Sequence, residues 1–248
     1  MAKARSGGAG GADGLGRAVI TVGPYDEPSQ STPVVEGYRQ TALRAPAEPL
    51  IERPFTLSEL TGPDRPERRL ALLGTDLAGY GVERALGQLI EVRLRVLDEG
   101  GAPLSGALVE MWQANAAGRY IHPNDDDHAP VDPHFHGAAR MTADASGCLS
   151  IRTIKPGAYP VPGSGRWWRP PHIHFSLWGR VWMSRLVTQM FFPGEPLNGQ
   201  DRILHAVPDA DARERLICRP RSPVDCPDDT LVFDHDIVVR GRRATPVA

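Results

Sequence analysis

Apolar and polar residues alternate in several short stretches of the second half of the chain. Between Leu89 and Val96 the apolar side chains stand mostly at alternate positions, and a second apolar run extends over 107–112. This period of two predicts strands with one buried face. Because Glu99 and two glycines lie between the two runs, we interpret them as a β-hairpin.

Short strands are also predicted for the rest of this half. Apolar runs bounded by clusters of Gly, Pro, Asn and Asp occur in ARMTADASGCLSIRTIKPGAYP, PPHIHFSLWG, SRLVTQMFF and TLVFDHDIVVRG. Their spacing is typical of a β-sandwich or a barrel. One short C-terminal helix is predicted in DADARERLICR. We therefore expect an all-β fold whose catalytic or binding core is a β-sandwich.

The first third of the chain has a different character. Residues 1–16 are rich in Gly and Ala and predict a flexible tail, because they offer little to bury and much backbone entropy to lose. Residues 17–85 carry many proline and turn signals and only one capping-type helix start, at Ser58. We interpret them as an irregular N-terminal extension or assembly arm, and residues 86–248 as the β-sandwich domain.

The charge balance and the cysteines narrow the class of protein. Twenty-eight basic and thirty acidic residues give a net charge of -2, which disfavours nucleic acid or an anionic membrane as a partner. No apolar stretch reaches the roughly 18 residues of a membrane span, and the N-terminus lacks the apolar core of a signal peptide. Three cysteines, Cys148, Cys218 and Cys226, match no metal-binding spacing and are interpreted as reduced thiols. These features favour a cytoplasmic protein with a small-molecule or protein partner.

Two histidine pairs have the spacing of a possible metal site. In RWWRPPHIHFSLWG, His172 and His174 are two residues apart on a predicted strand, so both imidazoles face the same side and can reach one ion. The alternative is two half-buried histidines that bond to the backbone. His134 and His136 have the same spacing in DPHFHGAA, but proline and glycine bound that stretch, and we expect a loop there.

The further ligands do not follow from the histidines alone. Zinc would need a third His, Cys or carboxylate, and a ferrous site would need an Asp or Glu. No acid stands near PHIHF, and the carboxylates of HPNDDDHAP are typical of a solvated loop. Tyrosines are the remaining oxygen donors. Tyr120 follows a strand and an Ala-Gly turn, and Tyr159 lies between a glycine turn and a proline, although each also fits an ordinary tyrosine that closes a loop.

An ordered set of motifs resembles a known family. LVEMWQANAAGRY, DPHFHGAARMTADASGCLSIRTIKPGAYP, WRPPHIHFSLWG, LVTQMFF and FDHDIVVRGRR are similar in order and spacing to motifs of the intradiol ring-cleavage dioxygenases. The resemblance covers residues 87 to 243. Two stretches of the extension, YRQTALRAP and LSELTGP, resemble the N-terminal arm of the family's iron-bearing β type of subunit.

The resemblance implies a non-haem Fe(III) site. Its ligands would be Tyr120, Tyr159, His172 and His174. Ferric iron is hard and highly charged, so it favours anionic oxygen and lowers the pKa of a phenol well below its usual value of about 10. The implied reaction inserts both atoms of O₂ into protocatechuate and gives 3-carboxy-cis,cis-muconate. The alternatives are the same chemistry on another 4-substituted catechol such as 4-sulfocatechol, a metal-free β-sandwich carrier or structural subunit, and a zinc hydrolase that uses the two histidine pairs.

The resemblance also implies roles for other residues. Arg169 would stabilise negative charge on the ring, Tyr159 would leave the iron when substrate binds, and Gln189 would lie beside the substrate and O₂. Substrate-pocket positions are Trp112, Tyr38, Arg44, Val161 and Phe191. Two of them depart from the family: Val161 replaces a tryptophan and Phe191 a tyrosine. Loss of that indole predicts a wider pocket.

The implied partners are a catechol, O₂ and a second subunit. In the family a homologous α subunit lacks the iron ligands and pairs with the β type. We therefore expect an αβ unit repeated in a larger oligomer, with neither nucleic acid nor membrane as a partner.

Overall fold

The computed structural model describes residues 35, 38, 73–79, 83–123, 125, 128–178, 185–222, 230–239 and 243–247. The predicted tail at 1–16, the helix start at Ser58, the pocket residue Arg44, Cys226 and most of the 17–85 extension lie outside the described residues. The division of the chain into these three parts stays a prediction.

Ten strands make up most of the described secondary structure. They are β1 (Leu89–Leu97), β2 (Leu108–Trp112), β3 (Ala138–Thr142), β4 (Cys148–Ile154), β5 (Tyr159–Pro160), β6 (Trp168–Arg169), β7 (His172–Trp178), β8 (Arg185–Phe191), β9 (Arg219–Pro220) and β10 (Leu231–Val238). One four-stranded sheet has the order β4-β1-β10-β9, another has the order β3-β2-β7-β8, and β5 pairs with β6 in a separate ribbon.

The predicted all-β sandwich is confirmed. Side chains from the two four-stranded sheets form one buried apolar cluster, to which β1 contributes Ile90, Val92, Leu94 and Val96, each at most 1% exposed. Their alternation with half-buried or exposed residues is the period of two that the sequence shows. The predicted short helix is α1 (Ala210–Glu214), capped by the Asp209 side chain, which accepts from the Ala212 N–H.

The predicted hairpin between the first two apolar runs is wrong. The turn does reverse the chain, since the Leu104 N–H donates to the Val96 carbonyl at 2.9 Å. Leu97 and Pro103 form an isolated antiparallel bridge, and the pairing does not continue into β2. Strand β1 then pairs with β4 and β10, whereas β2 pairs with β3 and β7 in the other sheet. Alternation reports a buried face but carries no information on which strand lies alongside.

A second buried cluster, the flanking cluster, lies beside the ribbon of β5 and β6. It contains Val35, Val161, Trp167, Phe191, Ile203, Leu204, Ala206, Val207, Ala212 and Leu216. Helix α1 contributes the buried Ala212 to it. Two 3₁₀ turns, Pro196–Gln200 and Leu204–Ala206, connect β8 to α1. The cluster therefore supports the ribbon, which carries Tyr159 and Arg169 as directly opposed residues.

The cysteines and the helices of the described residues bear on two further predictions. Cys148 and Cys218 are free thiols, as expected, and burial raises the pKa of the Cys218 thiol to about 12. Among the described segments, no helix has both the length and the apolar character needed to span a bilayer.

Candidate metal centre

The two histidines of the HIH motif are held on a central strand. Strand β7 lies between β2 and β8, and it places the Nε2 atoms of His172 and His174 3.2 Å apart. The Trp112 ring stacks on His174 with centroids 4.9 Å apart, and the Phe191 ring stacks on His172 at 5.7 Å. These aromatic neighbours come from the strands on either side, so the pairing of the sheet fixes both imidazole planes.

His172 is prepared to act as a ligand through Nε2. Its Nδ1 lies 2.7 Å from the Pro170 carbonyl oxygen, which can only accept, so Nδ1 carries the proton and Nε2 presents a lone pair. Burial, followed by the charge of Arg169, holds the pKa of His172 well below its usual value. A neutral imidazole with its second nitrogen bonded to a backbone carbonyl is the usual state of a metal-binding histidine.

Two phenol oxygens face the histidines from other parts of the chain. The Tyr159 oxygen lies 3.2 Å from His172 Nε2. Tyr120 follows β2, and its ring lies edge-on to that of Tyr159 with centroids 5.4 Å apart. Its buried hydroxyl makes no hydrogen bond within the described part of the chain. A buried hydroxyl without a partner costs about 1–3 kcal/mol, so these four donor atoms point to a bound cation.

The environment of the tyrosines favours an ion of high charge. Burial raises the pKa of both phenols, most of all for Tyr120, where nearby Tyr159 adds to the effect. In Tyr159 the cation of Arg169 opposes this rise. Only a strong positive charge at the phenol oxygens can make both tyrosines anionic at neutral pH. The donor set of two phenols and two imidazoles therefore fits a hard, highly charged metal ion.

Two glycines let the tyrosine segments approach each other closely. Gly118 has a φ of +85°, and a Cβ added there would overlap the Ala158 carbonyl oxygen. Gly157 packs equally tightly, because an added Cβ would overlap the Ala116 carbonyl oxygen and come within 2.6 Å of the Gly118 nitrogen. The contact fixes Tyr120 and Tyr159 relative to each other.

The start of the Tyr120 segment is also held by side chains. The Asn115 amide oxygen accepts from the backbone N–H groups of Ala117 and Arg119 at 2.9 and 3.0 Å. The Asp125 carboxylate accepts from the Tyr120 backbone N–H at 2.7 Å. Asp125 was assigned to a solvated loop on sequence grounds, and only the folded loop shows that it orients a candidate ligand.

A permanently charged guanidinium lies beside the donor cluster. Arg169 is completely buried, and its Nε donates to Asp201 at 2.6 Å while its Nη2 donates to the Gln189 amide oxygen at 2.6 Å. Burial acts to lower its pKa, but the charge of Asp201, the neighbouring Tyr159 and Tyr38 and the hydrogen bond to Asp201 together raise it. The Nη1 atom has no partner among the described residues. Arg169 therefore offers the NH2 group of Nη1 to a bound molecule.

Comparisons with known proteins identify the family of the chain. A family model described as Dioxygenase matches residues 61–241. The protocatechuate 3,4-dioxygenase beta chain of Burkholderia cepacia is 46% identical over 226 residues, which cover 90% of this chain and 96% of that relative. The chain belongs to the intradiol ring-cleavage dioxygenase family.

More distant relatives share the core of this intradiol dioxygenase. Catechol 1,2-dioxygenase 2 of Acinetobacter lwoffii is 34% identical over 121 residues, and the match spans 42% of that relative. The structure of 3-chlorocatechol 1,2-dioxygenase from Rhodococcus opacus 1CP has a TM-score of 0.51 at 25% identity, and the match covers 65% of this chain and 62% of that one. An intradiol ring-cleavage dioxygenase from Tetranychus urticae, at 20% identity, has a TM-score of 0.51 and shows the same fold.

The remaining predicted pocket positions lie in or against the flanking cluster. Tyr38 contacts the Trp167 ring edge-on with centroids 5.5 Å apart. Val161 is only 5% exposed and belongs to the flanking cluster together with Phe191. Val161 is therefore packed within this cluster, and the wider substrate pocket stays a prediction.

The second histidine pair lies outside this centre. His134 Nε2 is 3.0 Å from the Glu83 carboxylate, in the loop that the sequence predicts. Within the described ranges no group of three or more His, Cys, Asp or Glu side chains is placed to hold a metal ion. Neither observation supports a zinc hydrolase that uses both pairs.

Asp201 is a site residue that sequence reasoning missed. It lies just after the 3₁₀ turn Pro196–Gln200, and both its side chain and that of Arg169 are 0% exposed. It stands 32 residues after Arg169, without a recognisable motif. Only the path of the connection from β8 to α1 brings the two charges together.

Proposed function

We propose that the chain is the iron-bearing subunit of a protocatechuate 3,4-dioxygenase, which inserts both atoms of O₂ into protocatechuate and gives 3-carboxy-cis,cis-muconate. The observation that carries the proposal is the convergence of Tyr120, Tyr159, His172 and His174 next to the buried Arg169. The identity to the B. cepacia beta chain over nearly its full length supports the choice of substrate.

In this proposal the two tyrosines and two histidines hold a non-haem Fe(III) ion. When bound, ferric iron supplies Lewis-acid chemistry and a template for the catechol and O₂. Two tyrosinates lower the net charge of the site and favour ferric over ferrous iron. The orphaned Tyr120 oxygen and the lone pair on His172 Nε2 fit these roles.

Tyr159 is assigned the role of proton acceptor. It reaches the site from the short ribbon strand β5, whereas the histidines are on a central strand of a sheet. Its oxygen would take a proton from one catechol hydroxyl when the substrate binds. Burial raises the pKa of this phenol, and the nearby cation of Arg169 opposes that rise, so Arg169 makes the tyrosinate form more accessible than burial alone would allow.

Arg169 stabilises the negative charge that develops on the ring. Its Nη1 has no partner within the described chain, while Nε and Nη2 are already bonded to Asp201 and Gln189. Such a preoriented donor in a dry site contributes more to the transition state than one exposed to water. Gln189 holds the guanidinium in this orientation and contacts the substrate side of the site.

A metal-free carrier is disfavoured on both structural and comparative grounds. A carrier has no need for a buried phenol without a partner beside two closely spaced imidazole nitrogens. The relatives named above are catalytic dioxygenases. The closer alternative is the same reaction on 4-sulfocatechol, since Val161 and Phe191 replace aromatic residues of the family pattern.

One experiment tests metal, substrate and reaction together. The iron-loaded complex of this chain with the proposed α subunit is titrated anaerobically with protocatechuate, 4-sulfocatechol and catechol, oxygen is then admitted, and the products are analysed. We expect a red protein whose visible band shifts with substrate and a product cleaved between the two hydroxylated carbons. A colourless, iron-free protein, or cleavage outside the diol, would overturn the proposal.

The variant Arg169→Lys should keep the colour but lose turnover by about 100-fold or more, because its ammonium cannot form the bonds of the planar guanidinium fork.

We also propose a homologous α subunit as partner, with αβ units repeated in a larger oligomer. The support is that the B. cepacia relative is named a beta chain. Co-expression with the candidate α chain, followed by sedimentation, should give one stable species that contains both chains. An active protein made of this chain alone would contradict the need for the partner.

A further inference from the structure

The ribbon that carries Tyr159 and Arg169 also carries Val161 and Trp167 on the same face. Tyr159 and Arg169 are directly opposed, and the Val161 N–H donates to the Trp167 carbonyl at 2.9 Å, which extends the pairing. Residues two apart on a strand share a face. Burial agrees, since Arg169 is 0% and Trp167 6% exposed, while Trp168 between them is 47% exposed.

Trp167 therefore forms part of the wall next to the metal centre. Its indole contacts Tyr38 edge-on at 5.5 Å and belongs to the same buried cluster as Val161 and Phe191. Phe191 in turn stacks on His172. The wall is thus continuous from the Trp167 indole to a candidate metal ligand.

The indole also presents an unused hydrogen-bond donor. Trp167 Nε1 is buried and has no acceptor among the residues that the structure describes. A buried N–H without an acceptor is unfavourable, so such a group is suited to a bound molecule that supplies one. The Arg202 guanidinium lies over the Trp167 ring at 5.2 Å and places positive charge nearby. An acceptor with negative charge fits this surrounding.

We propose that Trp167 selects the ring substituent of the catechol. Its indole forms this wall from the strand opposite Val161. Its Nε1–H donates to an oxyanion on the substrate ring, a carboxylate or a sulfonate. The inference rests on the proposed dioxygenase function and names the residue that sets its substrate preference.

Two substitutions separate the wall from the donor. Trp167→Phe keeps an aromatic wall and removes the N–H, whereas Trp167→Ala removes both. With the iron-loaded complex we expect Trp167→Phe to lower kcat/KM for protocatechuate and 4-sulfocatechol by about tenfold or more, mainly through KM, because a hydrogen bond to a charged group is lost. Turnover of 4-methylcatechol, whose substituent accepts no hydrogen bond, should stay within about twofold. The ratio between the two anionic substrates shows which oxyanion fits better.

An exchange of the two residues tests the wall itself. Trp167→Ala should raise kcat/KM for 4-ethylcatechol relative to catechol, because removal of the indole leaves a cavity beside Val161. Adding Val161→Trp to that variant should restore the original ratio, because the indole then comes from the other strand. An exchange variant that retains the widened preference would overturn the idea of a substituted wall.

The adjacent Trp168→Ala is the matched control, because Trp168 is on the exposed face of the same ribbon. It should leave all these ratios unchanged. The visible band of each variant shows whether the iron site is intact. If the unaltered protein turns over no catechol, the proposed function fails. If it turns over catechols and Trp167→Phe keeps the preference for anionic over methyl substituents, the role of Trp167 is refuted and the function stands.

Discussion

At the scale of single residues, Arg169 and Asp201 form a buried ion pair in which each charge compensates the other. Both side chains are 0% exposed, and they meet at 2.6 Å. Bringing two ions out of water is costly, and removal of one partner leaves the other uncompensated at a cost of about 3–5 kcal/mol. The carboxylate also accepts from the Leu204 N–H at 2.7 Å, so it connects the arginine to the segment before α1.

Asp201→Asn should therefore weaken both stability and catalysis. We expect the free energy of unfolding, measured in urea with iron bound, to fall by about 3 kcal/mol or more. Turnover should fall with it, because the guanidinium loses its anionic partner and is oriented by neutral amide oxygens only. Asp211→Asn, on the exposed surface of α1, is the control and should change the free energy by less than about 0.5 kcal/mol. Equal stability of the two variants would show that the buried pair is unimportant.

A buried histidine outside the site should make stability depend on pH. His235 is 1% exposed, and burial, followed by the charge of Arg219, lowers its pKa from 6.5 to about 4. As the pH falls below 6.5, His235 binds a proton in the unfolded chain but stays neutral in the folded chain. The free energy of unfolding therefore falls between pH 6.5 and 4, and His235 does not change it above pH 6.5. A pKa gap of this size corresponds to about 3 kcal/mol.

His235→Leu should flatten this pH dependence. Urea unfolding of both proteins between pH 4 and 8 gives the comparison. Between pH 7 and pH 4 the free energy of unfolding of the unaltered protein should fall by about 3 kcal/mol more than that of the variant. The exposed histidine variant His205→Gln should follow the unaltered protein. Parallel curves for His235→Leu and the unaltered protein would contradict the assignment.

At the scale of elements, the two tyrosine segments meet through glycine backbone. A Cβ at Gly157 would come within 2.6 Å of the Gly118 nitrogen, a distance that backbone atoms cannot accept without moving. Because Tyr159 follows Gly157 by two residues and Tyr120 follows Gly118 by two, any movement passes directly to the phenols.

Gly157→Ala should displace the tyrosines without unfolding the sandwich. We expect a shift of the visible tyrosinate-to-iron band and a fall in turnover of about tenfold or more, because small displacements of reacting groups are costly. Gly74→Ala is a matched control, since an added Cβ there meets nothing within 4 Å. Absorption spectra and steady-state rates of the two variants provide the measurement. An unchanged band in Gly157→Ala would mean that the segments move apart freely.

The sequence predicted the elements better than their pairing. Alternation identified β1 correctly, because one face of that strand is buried at every second residue. It could not identify the partners of β1, which are β4 and β10, since pairing is decided by distant parts of the chain. The same limit applies to the site. His172 and His174 share a short motif, whereas Asp201 and Trp167 acquire their roles only when separate segments meet.

At the scale of the whole molecule, metal binding should stabilise the fold. The candidate ligands come from the segment after β2, from β5 and from β7, so one ion connects three separate segments. A ligand present at 100 times its Kd contributes about 2.7 kcal/mol to a protein that binds it only when folded.

Removal of iron with a reductant and a chelator should lower the Tm by about 5 °C or more and abolish the colour. Re-addition of Fe(III) should restore both. The double variant Tyr120→Phe/Tyr159→Phe lacks the oxygen donors and should gain no such stabilisation, while Tyr38→Phe should retain the colour and the shift. Calorimetry with iron analysis provides the measurement. An equal iron-dependent shift in the double variant would place the ion elsewhere.

The parallel pairing of β1 with β10 has a consequence for biosynthesis. Eight residue pairs, from Ile90 with Leu231 to Leu97 with Val238, join segments separated by 141 residues. During translation β1 leaves the ribosome long before its neighbour has been made, so one of its edges stays unpaired until the last strand emerges. Such long-range pairing slows folding and exposes a strand edge to other chains. The nascent chain therefore depends on its final strand to close this sheet, and chaperones that cover strand edges should contact it during that interval.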